Sequence, residues 1–285
     1  MRILRFLGKC LRFINENFKA IVLVLVVLLV VGSMQDTPTQ QPNLAKLYLT
    51  APIFSATSIE SQIQNIKKNP SIKGVLLVID SPGGSVSASI EVADLIKELG
   101  QDMPVLAYVQ GSMASGSYYG GMYASEIVAN RGALIGSIGV IFSGYNIAHL
   151  LENLGIQEQV LKKGEYKEVG TMSRQWSAQE REFLDNLLSE QYAMFVNDVK
   201  AARGEKLSQD SQAFAQGKIF SAKTALQLGL IDKIGSLQEA TEILKEKAHV
   251  DEVVWLKKSK IDSYVEQFQD SLISKVLSLG APSLR

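Results

Sequence analysis

The chain has 285 residues, 46% of them hydrophobic, and its 29 basic and 29 acidic side chains cancel to zero net charge. That length holds one large domain or two modest ones around a sizeable core, and the charge balance gives no electrostatic reason to expect a nucleic-acid partner. A single cysteine, Cys10, excludes an internal disulfide, and the two histidines, His149 and His249, form no close ligand pair for a metal such as zinc.

Residues 1–19 carry Arg2, Arg5, Lys9, Arg12 and Lys19 against one acid, Glu16. Ala20 to Val31 then runs for twelve apolar residues without interruption. A spanning helix needs about 20, and Phe13, Ile14 and Phe18 extend the run if Lys19 snorkels toward the headgroups. Residues 20–34 therefore read as an uncleaved, single-pass anchor in the inner (cytoplasmic) membrane, with membrane lipid as partner. The positive-inside rule then leaves residues 1–19 as a cytoplasmic tail and puts everything after Gln35 outside the cytoplasm. A cleaved signal peptide has the same basic flank and short apolar core.

Residues 35–43 are polar with two prolines, a linker composition. The folded domain is expected to begin at Leu44, with a first strand at Leu47–Leu49. Thr57 and Glu60 have capping-box spacing ahead of a helix that ends before Pro70. Gly74 to Ile79 is an aliphatic run of strand length, the pattern of a strand buried on both faces. It ends in the turn Asp80-Ser-Pro-Gly-Gly84, and a helical stretch follows to about Leu99. Val105 to Val109 reads as a second buried strand, Ser115 as the start of a small-residue helix, and Ile127–Ala129 and Ile138–Ile141 as further strands. Ser177 and Glu180 form another capping box, opening an amphipathic helix to about Ala202. Short strands and helices alternate to about Lys247, which makes the fold class α/β. In residues 248–285 a C-terminal strand and an amphipathic helix are expected, the helix over Ile261 to Leu279.

Two turns can carry chemistry. The paired glycines after Asp80 permit φ > 0 and leave bare N–H groups that could bind an oxyanion, although many strand–helix turns carry such pairs. Gly111 to Ser117 also follows a buried strand and surrounds Ser115 with small residues, so its hydroxyl can protrude; a packing interface or an ordinary N-cap serine fits equally. A serine nucleophile needs a base, and neither histidine sits in a catalytic motif, which disfavours a Ser-His-Asp triad. A buried, neutral lysine can serve instead, but composition does not say which lysine.

Ser81-Pro-Gly-Gly84, Gly111-Ser-Met-Ala-Ser-Gly116, Gly136-Ser-Ile-Gly-Val140 and Gly164-Glu-Tyr-Lys167 stand in the order seen in the signal peptide peptidase A family. The resemblance covers about Leu44 to Lys247, roughly 200 residues. It implies a Clp protease/crotonase-like fold with an N-terminal anchor, a peptidase domain over 44–247, and serine protease activity without cofactor. It makes Ser115 the nucleophile, Lys167 the base, Ser137 the residue orienting Lys167, and the N–H groups of Gly84 and Gly116 the oxyanion hole. It further implies a homo-oligomer sharing active sites between subunits, with peptide substrates such as cleaved signal peptides. The chain departs from the family at Met-Ala-Ser-Gly-Ser, where an extra alanine and a second glycine are commoner. Glu165 and Glu168 flank Lys167, and both are expected to face outward. Alternatives from other classes are a crotonase-like acyl-CoA enzyme and a catalytically idle peptide-binding scaffold.

Overall fold

The computed structural model describes residues 17–20, 22–24, 41–208 and 210–257. The chain divides into two compact units, one ending at Gln41 and the other beginning at Pro42. The expectation of a single-pass inner-membrane protein is corrected: among the described residues no helix is long and apolar enough to cross a membrane. A span needs about 20 apolar residues, and the uninterrupted run stops at twelve, Ala20 to Val31. Within it Ala20 and Val22–Val24 are helical, and the rest lies outside the described residues. With the anchor goes the expected placement of the folded domain outside the cytoplasm.

In the second unit β1 (Leu44–Leu49), β2 (Gly74–Ser81) and β3 (Val105–Ala114) pair in parallel, Leu47 opposite Leu77 and Leu77 opposite Ala107. The aliphatic run of β2 divides by alternation between two faces. Val75, Leu77 and Ile79 join a core cluster with Ile59, Ile63 and Ile66 of α1 (Thr57–Lys67) and Val92, Ile96 and Leu99 of α2 (Val86–Asp102). Leu76 and Val78 join a second cluster with Ala240 and Leu244. Both faces are therefore covered, the usual condition of a parallel sheet.

Strand β3 forks. Leu106 to Val109 pair with β4 (Glu126–Ala129), whereas Ser112 to Ala114 pair with β5 (Leu134–Gly136). Helix α3 (Gly116–Gly121) follows β3 directly. After β5 come the short α4 (Ala148–Asn153), the long α5 (Ala178–Arg203), α6 (Ser211–Phe214), β6 (Ile219–Ser221), α7 (Ala222–Gln227), β7 (Lys233–Ile234) and α8 (Leu237–Lys247). Among the described residues the sheet has seven strands in the order β1-β2-β3-β4-β7, with β5 branching from β3 and β6 antiparallel on β5. Trp255 bridges Leu44, and the Leu256 N–H donates to the Leu44 carbonyl, so the chain returns alongside β1. The expected C-terminal helix lies outside the described residues.

Several local expectations change. Helix α1 is capped at Ala56, already helical at φ −82° and ψ −10°, so Thr57 lies inside the first turn and makes no capping box. The box at Ser177 and Glu180 forms in both directions. The strand expected at Ile138–Ile141 is found at Leu134–Gly136, because positive φ at Gly136 and Ser137 ends regular pairing there.

Arg203, at the end of α5, fastens that helix to the sheet. Its buried guanidinium donates to both oxygens of Asp232, at 3.1 and 2.9 Å, and to the Gly229 carbonyl at 2.9 Å. Asp232 in turn accepts from Lys206 and from the Ile127 N–H of β4. Burial pushes the Asp232 carboxyl up, but the Arg203 and Lys206 hydrogen bonds outweigh it and hold it below the ordinary carboxylate range. Removing one partner from a buried pair leaves an uncompensated charge. Arg203→Met is expected to lower unfolding stability by about 3 kcal/mol in urea titration; a change under about 1 kcal/mol, the scale of an exposed pair, would contradict a buried clamp.

Candidate active site

Parallel strands end on one edge of a sheet, and ligands in open α/β sheets bind at that edge. Ser81 of β2 lies opposite Met113 of β3, and Ala114 opposite Gly136 of β5. The residues that follow, Gly83–Gly84, Ser115 and Ser137, therefore gather beside one another.

Ser115 adopts φ 53° and ψ −123°, a region that strains a side-chain-bearing residue by about 1–3 kcal/mol. Ser137, the next position on the neighbouring strand, also has positive φ, 50°. The Ser115 N–H donates to the Gly136 carbonyl at 2.8 Å, and the Ser137 N–H to the Lys218 carbonyl at 2.7 Å. Two adjacent serines are thus held in strained turns by backbone hydrogen bonds.

The glycine turns fit against Ser115 without space for a side chain. A Cβ on Gly84 would stand 1.9 Å from the Ile53 carbonyl oxygen, and one on Gly116 would stand 2.0 Å from Ser89 Oγ. The Gly116 Cβ position is itself 3.1 Å from the Gly84 nitrogen. Among the described residues neither the Gly84 nor the Gly116 N–H has an acceptor. Both amides border a small pocket, partly open to solvent, whose walls also include Ser115, Val86, Tyr119 and Phe195.

Lys167 stands apart. It is exposed in a turn, its N–H 3.4 Å from the Gly164 carbonyl, and its side chain makes no hydrogen bond or ion pair among the described residues. The structure therefore brings together Ser115, Ser137, Gly84 and Gly116 but does not bring Lys167 to them within one chain. Glu165 is exposed as expected. Glu168, expected to face outward as well, is instead bonded by Lys162 at 2.9 Å and Arg174 at 3.3 Å, which lowers its carboxyl below the ordinary value. Next to Lys167, Tyr166 stacks on Phe183 of α5 with ring centroids 5.0 Å apart. His149 is exposed beside Glu152, His249 is exposed, and neither lines the pocket. No group of three His, Cys, Asp or Glu side chains among the described residues could hold a metal ion.

The pocket's far wall is absent from the sequence-derived site. Gln191, Met194 and Phe195 of α5 line it, together with Tyr119. The Tyr119 hydroxyl donates to the Asp198 carboxylate, and its ring meets Phe195 at 4.6 Å. The amphipathic face of α5 was the available signal, but periodicity says only that the face is covered.

The Peptidase family S49 profile matches residues 97–251, and the Clp protease profile matches residues 45–137. The chain belongs to peptidase family S49. Its parallel sheet and helical layers are the Clp protease-like α/β fold. A putative protease of Methanocaldococcus jannaschii is 37% identical over 66% of this chain and 60% of its own length. A putative signal peptide peptidase SppA of Enterococcus faecium is 33% identical over 66% of this chain and 54% of its own. The chloroplastic serine protease SPPA of Arabidopsis thaliana is 34% identical over 68% of this chain and 29% of its own. The matched stretch thus spans about a third to three-fifths of these relatives.

In this S49 chain the segment carrying Lys167 is tied to the start of α5. Arg174 donates to both carboxylate oxygens of Glu180, at 2.8 and 2.7 Å, and reaches Glu168 as well. The Arg174 bonds, helped by the Ser177 N–H, lower the Glu180 carboxyl from 4.5 to about 2. A carboxyl depressed by folding stabilises above its unfolded value and loses that contribution as pH falls through the folded one. In Trp255→Phe protein, Trp176 fluorescence is expected to change as pH falls from 4.5 through about 2, the window of Glu180 protonation. Arg174→Ala should move that change to higher pH, and an unmoved transition would show that the pair does not hold the segment.

Proposed function

We propose that this S49 member is a serine endopeptidase in which Ser115 attacks the peptide carbonyl, Lys167 is the general base, Ser137 orients Lys167, and the Gly84 and Gly116 N–H groups bind the oxyanion. The observation that carries the reading is the pair of acceptor-free amides bordering one pocket with a strained serine. Gly116 is buried, and buried amides are ordinarily bonded; its open N–H, beside a hydroxyl and the N–H of solvent-exposed Gly84, points to a ligand oxygen.

Lysine as base follows from the surroundings. No histidine reaches the pocket, and the likeness of Gly164-Glu-Tyr-Lys167 to the family's motif supports the reading of Lys167 as base. Exposed lysine is an ammonium and cannot accept a proton; burial can lower its pKa by up to about 3–5 units. Such burial requires a second copy of this chain. Ile141, Tyr145, Leu154 and Leu161, on the segment that carries Lys167, are 87%, 83%, 63% and 104% exposed. An apolar strip of that kind marks an interface. In a homo-oligomer the segment covers this strip against a neighbour and delivers Lys167 to the neighbour's Ser115.

The chemistry then balances. Lys167 takes the Ser115 proton as Oγ bonds to the carbonyl carbon, and the oxyanion settles on the two amides, each worth about 2.7–4 kcal/mol in the transition state. The C–N bond breaks, with the Lys167 proton passing to the leaving amine. Water, deprotonated by Lys167, attacks the acyl-enzyme, and the proton returns to Ser115 as the carboxylate product leaves. Extended peptides suit a strand edge, and apolar pocket walls favour an apolar side chain before the cleaved bond. Signal peptides released from their proteins are the proposed substrates, on the name of the Enterococcus faecium relative. The family match removes the support for an acyl-CoA enzyme.

With the full chain, a fluorophosphonate probe should label Ser115, and Ser115→Ala and Lys167→Ala should each lower peptidase kcat by ~10⁴-fold with the fold retained. Mixing the two inactive variants under subunit exchange should restore activity, because some sites then combine an intact serine with an intact lysine. Full activity in Lys167→Ala would refute the dyad, and mixtures that exchange subunits without recovery would refute sharing.

A further inference from the structure

The second residue after the nucleophile is Ser117, whose side chain is fully buried and takes no part in the chemistry above. Its hydroxyl accepts from the Ala114 N–H at 2.8 Å. Its single hydrogen can reach the Ser81 carbonyl at 2.7 Å or the Ala114 carbonyl at 2.9 Å. One oxygen thus bridges the residue before Ser115 and the end of β2. Ser81 is also fully buried and leads directly into Pro82, Gly83 and Gly84. Its own Oγ donates to the Ala51 carbonyl and accepts from the Gly83 N–H.

The bridge stands just past an irregularity in the backbone ladder. Strands β2 and β3 keep regular register from Val75 to Ile79, and the register shifts between Ile79 and Ser81. Such an irregularity re-aims the chain and leaves backbone groups without ladder partners. Pairing resumes at Ser81 opposite Met113, and there the Ser112 and Ser117 hydroxyls both donate to the Ser81 carbonyl, with Ser117 alone also bonded to Ala114.

We propose that Ser117 is a positioning residue that sets the distance between the Ser115 hydroxyl and the Gly84 N–H. The inference rests on the assignment of Ser115 as nucleophile and of the two amides as oxyanion donors. Ser117 stands where the family more often has a second glycine, which offers no hydroxyl for the bridge. The departure in the motif thus lies behind the pocket and acts on it through Ser81 and Ala114.

An interaction made in the transition state lowers kcat when lost, whereas one that serves ground-state binding raises KM. In the full chain, Ser117→Ala is expected to lower kcat about 10–100-fold, less than outright loss of an oxyanion donor, with KM within about twofold. The inhibition constant of a peptide aldehyde, whose hemiacetal oxygen occupies the oxyanion position, should rise by the same factor as kcat falls. Should Ser117→Ala not fold, Ser117→Cys, with a weaker donor and acceptor of similar shape, is read the same way. Unchanged kcat and aldehyde affinity, or a loss of kcat with aldehyde affinity unchanged, would overturn the inference. Ser115→Ala in the same assay separates the two claims. If it stays active, the nucleophile assignment fails with everything built on it; if it is dead while the Ser117 variant matches wild type, only the positioning role fails.

Discussion

Three strands that run the same way finish at the same edge, and at that edge β2, β3 and β5 each give way to a backbone conformation most residues avoid. Gly83 has φ 94°, Ser115 φ 53° and Ser137 φ 50°. Parallel pairing holds them together, Ser81 opposite Met113 and Ala114 opposite Gly136. Strain of this kind persists only where the surroundings over-determine it. Here the aliphatic strands behind it supply that rigidity, packed on both faces against α1, α2 and α8. The open amides of Gly84 and Gly116 follow from the same arrangement, since turning away from the ladder removes their partners.

The second constraint is solvation. In the proposed dyad a serine can wait in a half-open pocket, but a lysine acting as base could not wait in water, where its ammonium is favoured. Lys167 is exposed in the single chain, on a segment that presents Ile141, Tyr145 and Leu161 to solvent. The same segment is not loose: Arg174 ties it to Glu180, and Tyr166 stacks on Phe183, both at the start of α5. A preorganised arm with an uncovered apolar strip is a reason to place the finished site between chains. The far end of α5 is held independently, through Arg203 and Asp232, and its middle lines the pocket.

How far the fold is legible in the sequence depends on where hydrophobic patterning is the deciding force. Gly74 to Ile79 reads as a strand buried on both faces because every side chain is aliphatic, and it is one. Ser177 with Glu180 reads as a helix start because the two groups satisfy each other locally. Thr57 with Glu60 has the same spacing, but the chain enters α1 one residue early and tertiary context prevails. The extension of β3 through Gly111 and Ser112 is masked by small polar residues, since its bonds come from Asp80, Ser81 and β5. Of the candidate site, Ser115 and the glycines are visible as motif positions. The wall built by Tyr119, Met194 and Phe195, and the bridge through Ser117, depend on approaches between distant segments that no local pattern encodes.

The most direct test of the central claim is a crystal structure of the assembled protein with Ser115 phosphonylated by a fluorophosphonate. The account predicts the phosphoryl oxygen within about 2.7–3.1 Å of both the Gly84 and the Gly116 nitrogen. A phosphoryl oxygen turned to solvent with both amides still without an acceptor, or a probe bonded to a different residue, would contradict it.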